Sequence, residues 1–287
     1  MDRKKVGVIA ILAASLMWAL EPIFAKLAST NFNAIQISTL RALIIASLAI
    51  IFILITGKGK SLKLDKTQFS VTVYIALIAT VFSDLLYFYA ITKIPVMNAV
   101  LIGHMQPIFM AMIAFFILKS DKLSRADLLG IFLIIFAGIL VSVQTFDNLF
   151  SFNFGSAGNL IALCATIGWS TTGLAARKYL GKVNTTAIIF YRFIIAGIVF
   201  STYLILTSSL KFFNFYILIL GLVSAIGTLF FYEGIKRIKV TQVSAFELFS
   251  TFFAAVLGFF ILGEAVTLLQ AGGIIFLFVG VYFISKK

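Results

Sequence analysis

Ser15-Leu16-Met17-Trp18-Ala19, near the start of the chain, returns as Thr166-Ile167-Gly168-Trp169-Ser170 in its second half. Continued without a gap, the same alignment sets Asn33 over Asn184 and Arg41 over Arg192. After a shift in register, Phe88-Tyr89 matches Phe231-Tyr232 and Val96 matches Val240. Phe115-Phe116-Ile117-Leu118 likewise matches Phe259-Phe260-Ile261-Leu262. A repeat of this length means two copies of one module, residues 1–146 and 155–287.

The chain is 62% hydrophobic and 11% charged. Soluble domains are only about 45–50% apolar, so this chain belongs in a bilayer. Apolar runs of about 20 residues, long enough to span, lie at 6–28, 34–56, 69–91, 96–118 and 126–145 in the first copy. The second copy has them at 157–179, 185–207, 214–234, 241–262 and 266–285. The expected fold is all-α and integral to the membrane, with ten transmembrane helices, five per copy.

Lys and Arg accumulate on the cytoplasmic side of short loops. Alternate segments hold Arg3, Lys4, Lys5, Lys58, Lys60, Lys63, Lys66, Lys119, Lys122, Arg125, Arg177, Lys178, Lys182, Lys236, Arg237, Lys239, Lys286 and Lys287. The other segments hold only Lys26, Lys93 and Lys211, so both termini are expected inside. The net charge of +13 is therefore a topology signal and does not point to nucleic acid. The basic start, Met1 to Lys5, leads into a run too long for a signal peptide, and a retained first helix is expected. With Cys164 the only cysteine and His104 the only histidine, neither an internal disulfide nor a Cys/His zinc cluster can form.

A module with an odd number of spans enters on one side and leaves on the other, so its duplicate is inverted. Two inverted copies facing each other have two nearly equivalent packings, the physical basis of alternating access. The sequence also resembles the EamA domain of the drug/metabolite transporter superfamily. The likeness rests on Trp18 with Lys26, Trp169 with Lys178, the Arg of each second helix, and Phe-Phe-Ile-Leu-Gly-Glu ending at Glu264. It covers nearly the whole chain, twice. It departs at Ser120, where the first copy usually has a Glu, and at Ser250-Thr251, which replace a Glu-Pro; Gln106-Pro107 keeps only the proline. The resemblance implies a ten-helix basket around a central cavity, with helices five and ten peripheral, moving small metabolites without a cofactor.

Ionisable groups at bilayer depth cost roughly 2.5–3.5 kcal/mol each, so each asks for a reason. At about 1.5 Å rise per residue, Glu21, Arg41, Asp84 and His104 fall slightly toward the outer side, and Arg192 and Glu247 toward the inner. The structural reading pairs Glu21 or Asp84 with Arg41, and Glu247 with Arg192. One outer carboxylate is then left over beside His104. A lone carboxylate in low dielectric favours its protonated form, which suits proton coupling or an amine substrate, and Asp84 is preferred for it. Pro22 and its counterpart Gly173 read as paired helix breaks, and Pro107 as another that offers the Gly103 carbonyl to the cavity.

Trp18 and Trp169 lie at mid-depth and either pack structurally or stack on an organic substrate. Tyr87 follows Asp84 at helical spacing, and Ser244, Ser250 and Thr251 surround Glu247 in the same way. Asn98 and Gln242 read as satisfying helix starts. Lys26, Lys93, Lys236, Arg237 and Glu233 sit where long side chains snorkel, with Glu233 pairing Lys236 or Arg237. Gly130, Gly138, Gly272, Gly273 and Gly280 suit close packing, within the chain or in a homodimer. The expected function is secondary transport of a small organic solute, such as an amino acid, metabolite or amphipathic amine. Export from the cell across the cytoplasmic membrane is expected, with proton exchange left open. A lipid flippase, a uniporter or a channel on the same fold is the alternative. No nucleophile–base pair and no Gly-x-x-x-x-Gly-Lys-Ser/Thr loop exists to support an enzyme or an ATPase.

Overall fold

The computed structural model describes residues 3–57, 59–113, 125–151, 155–180, 183–211, 214–235, 237–238, 243 and 246–284. Among the residues singled out above, Lys58, Phe115 to Lys119, Ser120, Lys122, Lys182, Lys236, Lys239, Val240, Gln242, Ser244, Lys286 and Lys287 lie outside the described residues.

The described residues form helices and connecting turns, with no strand among them. The first half contains α1 (Arg3–Ala28), α2 (Ala34–Ile55) and α3 (Lys66–Ile75), then a π-helical stretch, Ala76–Asp84, that runs into α4 (Leu85–Ile91). It continues with α5 (Val96–Gly103), α6 (Gln106–Ile113), α7 (Arg125–Val143) and the short α8 (Phe146–Phe150). The second half contains α9 (Ala157–Tyr179), α10 (Thr185–Leu206), α11 (Phe215–Ile235), α12 (Phe249–Leu262) and α13 (Leu268–Ile284). Six stretches are long and apolar enough to cross a membrane: 4–28, 34–55, 66–91, 157–176, 185–206 and 215–234. Shorter apolar helices cover 96–110, 128–143, 249–262 and 268–283. Each span expected from the sequence thus contains helix among its described residues.

Local signals set the helix starts. Asn33 accepts from the Gln36 amide at 2.9 Å while the Gln36 side chain accepts from the Asn33 amide at 3.0 Å, a reciprocal capping box. Asp65 and Gln68 repeat the device at the start of α3. Asn184, the counterpart of Asn33, caps α10 through the Thr186 amide.

The two halves interlock. Helix α1 packs along α11 and α12, α2 along α10, and α7 along α13. The glycines of this last pair serve packing within the chain: a Cβ on Gly280 would stand 2.9 Å from the Gly130 carbonyl oxygen, and one on Gly273 3.1 Å from that of Ala137. Gly138 makes room for the Met105 thioether in the same way.

The breaks are not where Pro22 and Gly173 place them. Helices α1 and α9 run unbroken through both residues. A proline removes one backbone donor, which the rest of a 26-residue helix tolerates. Gly173 instead admits the Gln106 amide, 3.3 Å from where a Cβ would be. The chain turns at His104-Met105, between α5 and α6, and at the single residue Leu248, whose backbone keeps near-helical angles, just before α12. By the register that matches Val96 to Val240, His104 corresponds to Leu248. The interruptions are therefore equivalent positions of the two copies.

Candidate functional site

Asp84 ends the π-helical stretch, in which the backbone holds more residues per turn than an α-helix and so rotates its side chains out of the usual register. The carbonyls such a turn frees are taken up by side chains. Ser83 Oγ donates to the Ile78 carbonyl at 2.8 Å, and the Trp169 indole N–H lies 3.2 Å from the Ala79 carbonyl. The stretch aims Asp84 at three partners. Its Oδ2 accepts from Arg41 Nη1 at 2.9 Å and from Arg192 Nη2 at 3.5 Å, and its Oδ1 accepts from Trp169 Nε1 at 2.8 Å.

The other charges close around this carboxylate. Arg41 also pairs with Glu21 and donates through Nε to Ser224 Oγ at 3.0 Å, while Arg192 Nε donates to Thr80 Oγ1 at 2.7 Å. Phe88 and Phe193 flank the Arg41 guanidinium at 5.1 and 5.3 Å, and Phe193 lies 4.9 Å from that of Arg192. Two carboxylates thus face two guanidiniums, drawn from α1, α2, the π-helical stretch and α10, and the cluster is formally neutral. The side chains of Arg41 and Asp84 are each 6% exposed, whereas that of Arg192 is 17% exposed.

A second polar group stands at the interruptions. His104 closes α5, with Nδ1 2.7 Å from the Val100 carbonyl and Nε2 sharing a 2.6 Å hydrogen bond with Ser250 Oγ. The main chain of Glu247 lies within hydrogen-bonding reach of the same ring. The Glu247 carboxylate has no ion pair or hydrogen bond among the described residues. It is half-buried on the last helical residues before Leu248. Two further groups meet here. Pro107 has no N–H to offer the Gly103 carbonyl, and a Cβ on Gly103 would stand 3.7 Å from the Trp169 ring and 4.0 Å from that of Tyr87. Those two rings lie 5.0 Å apart.

The two tryptophans differ. Trp169 donates to Asp84, but Trp18 packs on Phe231 at 4.9 Å and against Gly227, the counterpart of Asp84. Its indole N–H has no partner among the described residues.

Comparison with known proteins fits this arrangement. The profile of the EamA-like transporter family matches residues 5–143 and again 156–286. The chain belongs to the EamA-like transporter family. An uncharacterized transporter of Methanothermobacter thermautotrophicus is 23% identical over 98% of this chain and 86% of its own length. The pseudopaline exporter CntI of Pseudomonas aeruginosa is 24% identical over 96% of this chain and 94% of its own. A solved crystal structure superposes with a TM-score of 0.66 at 17% identity, covering 98% of this chain and 95% of the other, which shows a shared fold. This EamA-family chain is a multi-pass membrane transporter and not an enzyme.

Several sequence expectations for the EamA-family chain are corrected by the geometry. Asp84 is not the spare carboxylate; it accepts from Arg41, Arg192 and Trp169. Arg192 pairs with Asp84 and not with Glu247, because the π-helical turn and the long arginine side chain bridge the depth that separates their backbones. Lys26 does more than snorkel: it pairs with Glu264 at 3.0 Å and donates to the Ile94 carbonyl at 2.9 Å. Glu264 also accepts from the Val96 and Met97 amides at the start of α5. Asn98 does not satisfy a helix start; it is fully buried and accepts from Gln270 Nε2 at 2.5 Å. Glu233 does pair with Arg237, at 2.5 Å. Ser224 and Thr80 were missed by the sequence reading, and each was legible only as a hydroxyl in an apolar helix.

Proposed function

We propose that this chain is a secondary transporter that exports a small organic solute across the cytoplasmic membrane by alternating access. In this reading ten helices form two inverted repeats, residues 1–146 and 155–287, with both termini inside. Three things support it: the recurrence of Lys and Arg at alternate loops, the packing of each half against the other, and a relative that is itself an exporter. The observation that carries it is the pair of helix interruptions at equivalent positions, His104-Met105 and Leu248. Discontinuous helices placed in register in two copies are where carriers of this kind hold their cargo.

The interruptions stand beside the cluster of Glu21, Arg41, Asp84 and Arg192, which joins four helical elements, while Tyr87, Trp169 and Trp18 supply aromatic faces. At the end of the molecule that the charge pattern assigns to the outside, Lys26 and Glu264 tie α1 to the end of α12 and the start of α5. In this reading that tie would have to break for the outer mouth to open. If protons drive export, Glu247 is the group placed to carry them, in place of Asp84.

Reconstituted vesicles test the function. Counterflow of radiolabelled amines, amino acids and organic acids should give saturable, competable accumulation of one class. Accumulation that never saturates would indicate a channel, and exchange of labelled lipid between leaflets without solute flux would indicate a flippase.

A further inference from the structure

We infer that Glu247, with His104 and Ser250, forms a subsite for the ammonium group of an organic cation bearing an aromatic or other flat apolar body. The inference rests on the transport reading above and adds the substrate class.

Charge balance starts the argument. The cluster around Asp84 is neutral within itself, with Glu21 and Asp84 answering Arg41 and Arg192. Glu247 stands outside that balance. A carboxylate inside the membrane without a cation is costly, and such residues face a cavity and mark a pathway. The neighbouring ring of His104 is already held at both nitrogens, by the Val100 carbonyl and by Ser250 Oγ. It contributes a fixed polar wall and leaves the carboxylate to an incoming donor.

The surroundings separate an organic cation from a bare ion. Gly103, the equivalent of Glu247 in the first copy, brings the opposite interruption against the rings of Trp169 and Tyr87. On α1, the Ser15 hydroxyl donates to the Phe246 carbonyl at 3.0 Å, so Trp18, one turn further on, stands beside the same segment. Aromatic side chains on the segments that pack beside an acidic residue hold an alkylammonium through cation–π attraction and apolar contact. A sodium ion or a proton has no use for them. The Gly103 carbonyl, which has no N–H at position 107, supplies a further acceptor for an ammonium hydrogen.

The experiment uses the full-length protein in detergent and three isosteric probes: phenethylammonium, phenethyl alcohol and 3-phenylpropionate. Phenethylammonium should raise the unfolding temperature in a saturable way, and the neutral and anionic probes should not. Glu247→Gln should weaken phenethylammonium binding by roughly thirtyfold or more, as expected for removal of one partner of a desolvated charge pair. Glu247→Asp should keep the preference for the cation. Asp147→Asn, at an exposed residue of α8, is the control for loss of a carboxylate and should leave binding unchanged.

Equal binding to wild type and Glu247→Gln, stabilisation by 3-phenylpropionate alone, or stabilisation by sodium or acid alone would overturn the site. A Glu247→Gln protein that fails to fold would overturn it too, since the carboxylate would then have a structural partner. Vesicle counterflow distinguishes this from failure of the transport reading. Flux of an uncharged or anionic solute that Glu247→Gln leaves unchanged removes the ammonium site and keeps transport. Glu247-dependent binding with no flux of any solute keeps the site and removes transport.

Discussion

Trp169 and Trp18 stand at equivalent places in the two halves, yet only Trp169 reaches a carboxylate. Where the first copy has Asp84, the second has Gly227, close against the Trp18 indole. The exchange runs the other way one helix later, where the second copy has Glu247 and the first has Gly103. Each copy thus carries one carboxylate opposite a glycine of the other. The two acids have taken different work. Asp84 is bound by two guanidiniums and an indole and ties helices together, whereas Glu247 has no ion pair or hydrogen bond to its carboxylate among the described residues.

Removing Asp84 should break that comparison most strongly. Asp84→Asn leaves Arg41 and Arg192 with a buried charge uncompensated, and such losses run to about 3–5 kcal/mol. The unfolding temperature in detergent should fall steeply, and adding Arg192→Gln should restore part of it. Gly280→Ala probes the pairing of α7 with α13. Its Cβ would stand 2.9 Å from the Gly130 carbonyl oxygen, where only backbone movement gives relief, so a loss of about 1–3 kcal/mol is expected.

The tryptophans come next. Trp169→Phe removes the donor to Asp84 and should cost about 1.5–3 kcal/mol, as hydrogen bonds to charged groups do. Trp18→Phe removes an N–H with no partner among the described residues and should leave stability nearly unchanged while weakening ligand binding. Lys26→Met should cost about 1 kcal/mol or less, because that pair is partly solvated. Its larger effect should be on access: a cysteine placed at the outer mouth should react faster with an impermeant thiol reagent once the tie is gone. Glu247→Gln should change stability least, or raise it slightly, because it removes a partly buried charge that nothing among the described residues balances.

Much of the architecture was legible in the sequence because long apolar runs and a duplication are carried by composition. Trp18 over Trp169 and Arg41 over Arg192 were enough to align the copies, and each expected span contains helix among its described residues. The pairing of the charges was not legible. Counting residues gives depth along a helix but not which way a side chain faces, and the π-helical stretch at 76–84 has no proline or glycine to announce it. Its extra residues per turn swing Asp84 toward both arginines.

The interruptions were half legible. Gln106-Pro107 marked the first, but nothing in Glu247-Leu248-Phe249 marks the second except its register with the first. Pro22 misled because a single missing N–H bends or loosens a helix only where the surrounding packing allows it. The tie between Lys26 and Glu264 was hidden because the two residues are far apart in sequence, although each belongs to a motif that the sequence displays.

The most direct test of this division of labour compares Asp84→Asn and Glu247→Gln side by side, each by thermal unfolding with and without phenethylammonium. The account requires Asp84→Asn to melt well below wild type and still be stabilised by the cation. It requires Glu247→Gln to melt at or above wild type and ignore the cation. The reverse pattern, with a stable Asp84→Asn protein that has lost the cation and an unstable Glu247→Gln protein that retains it, would contradict it.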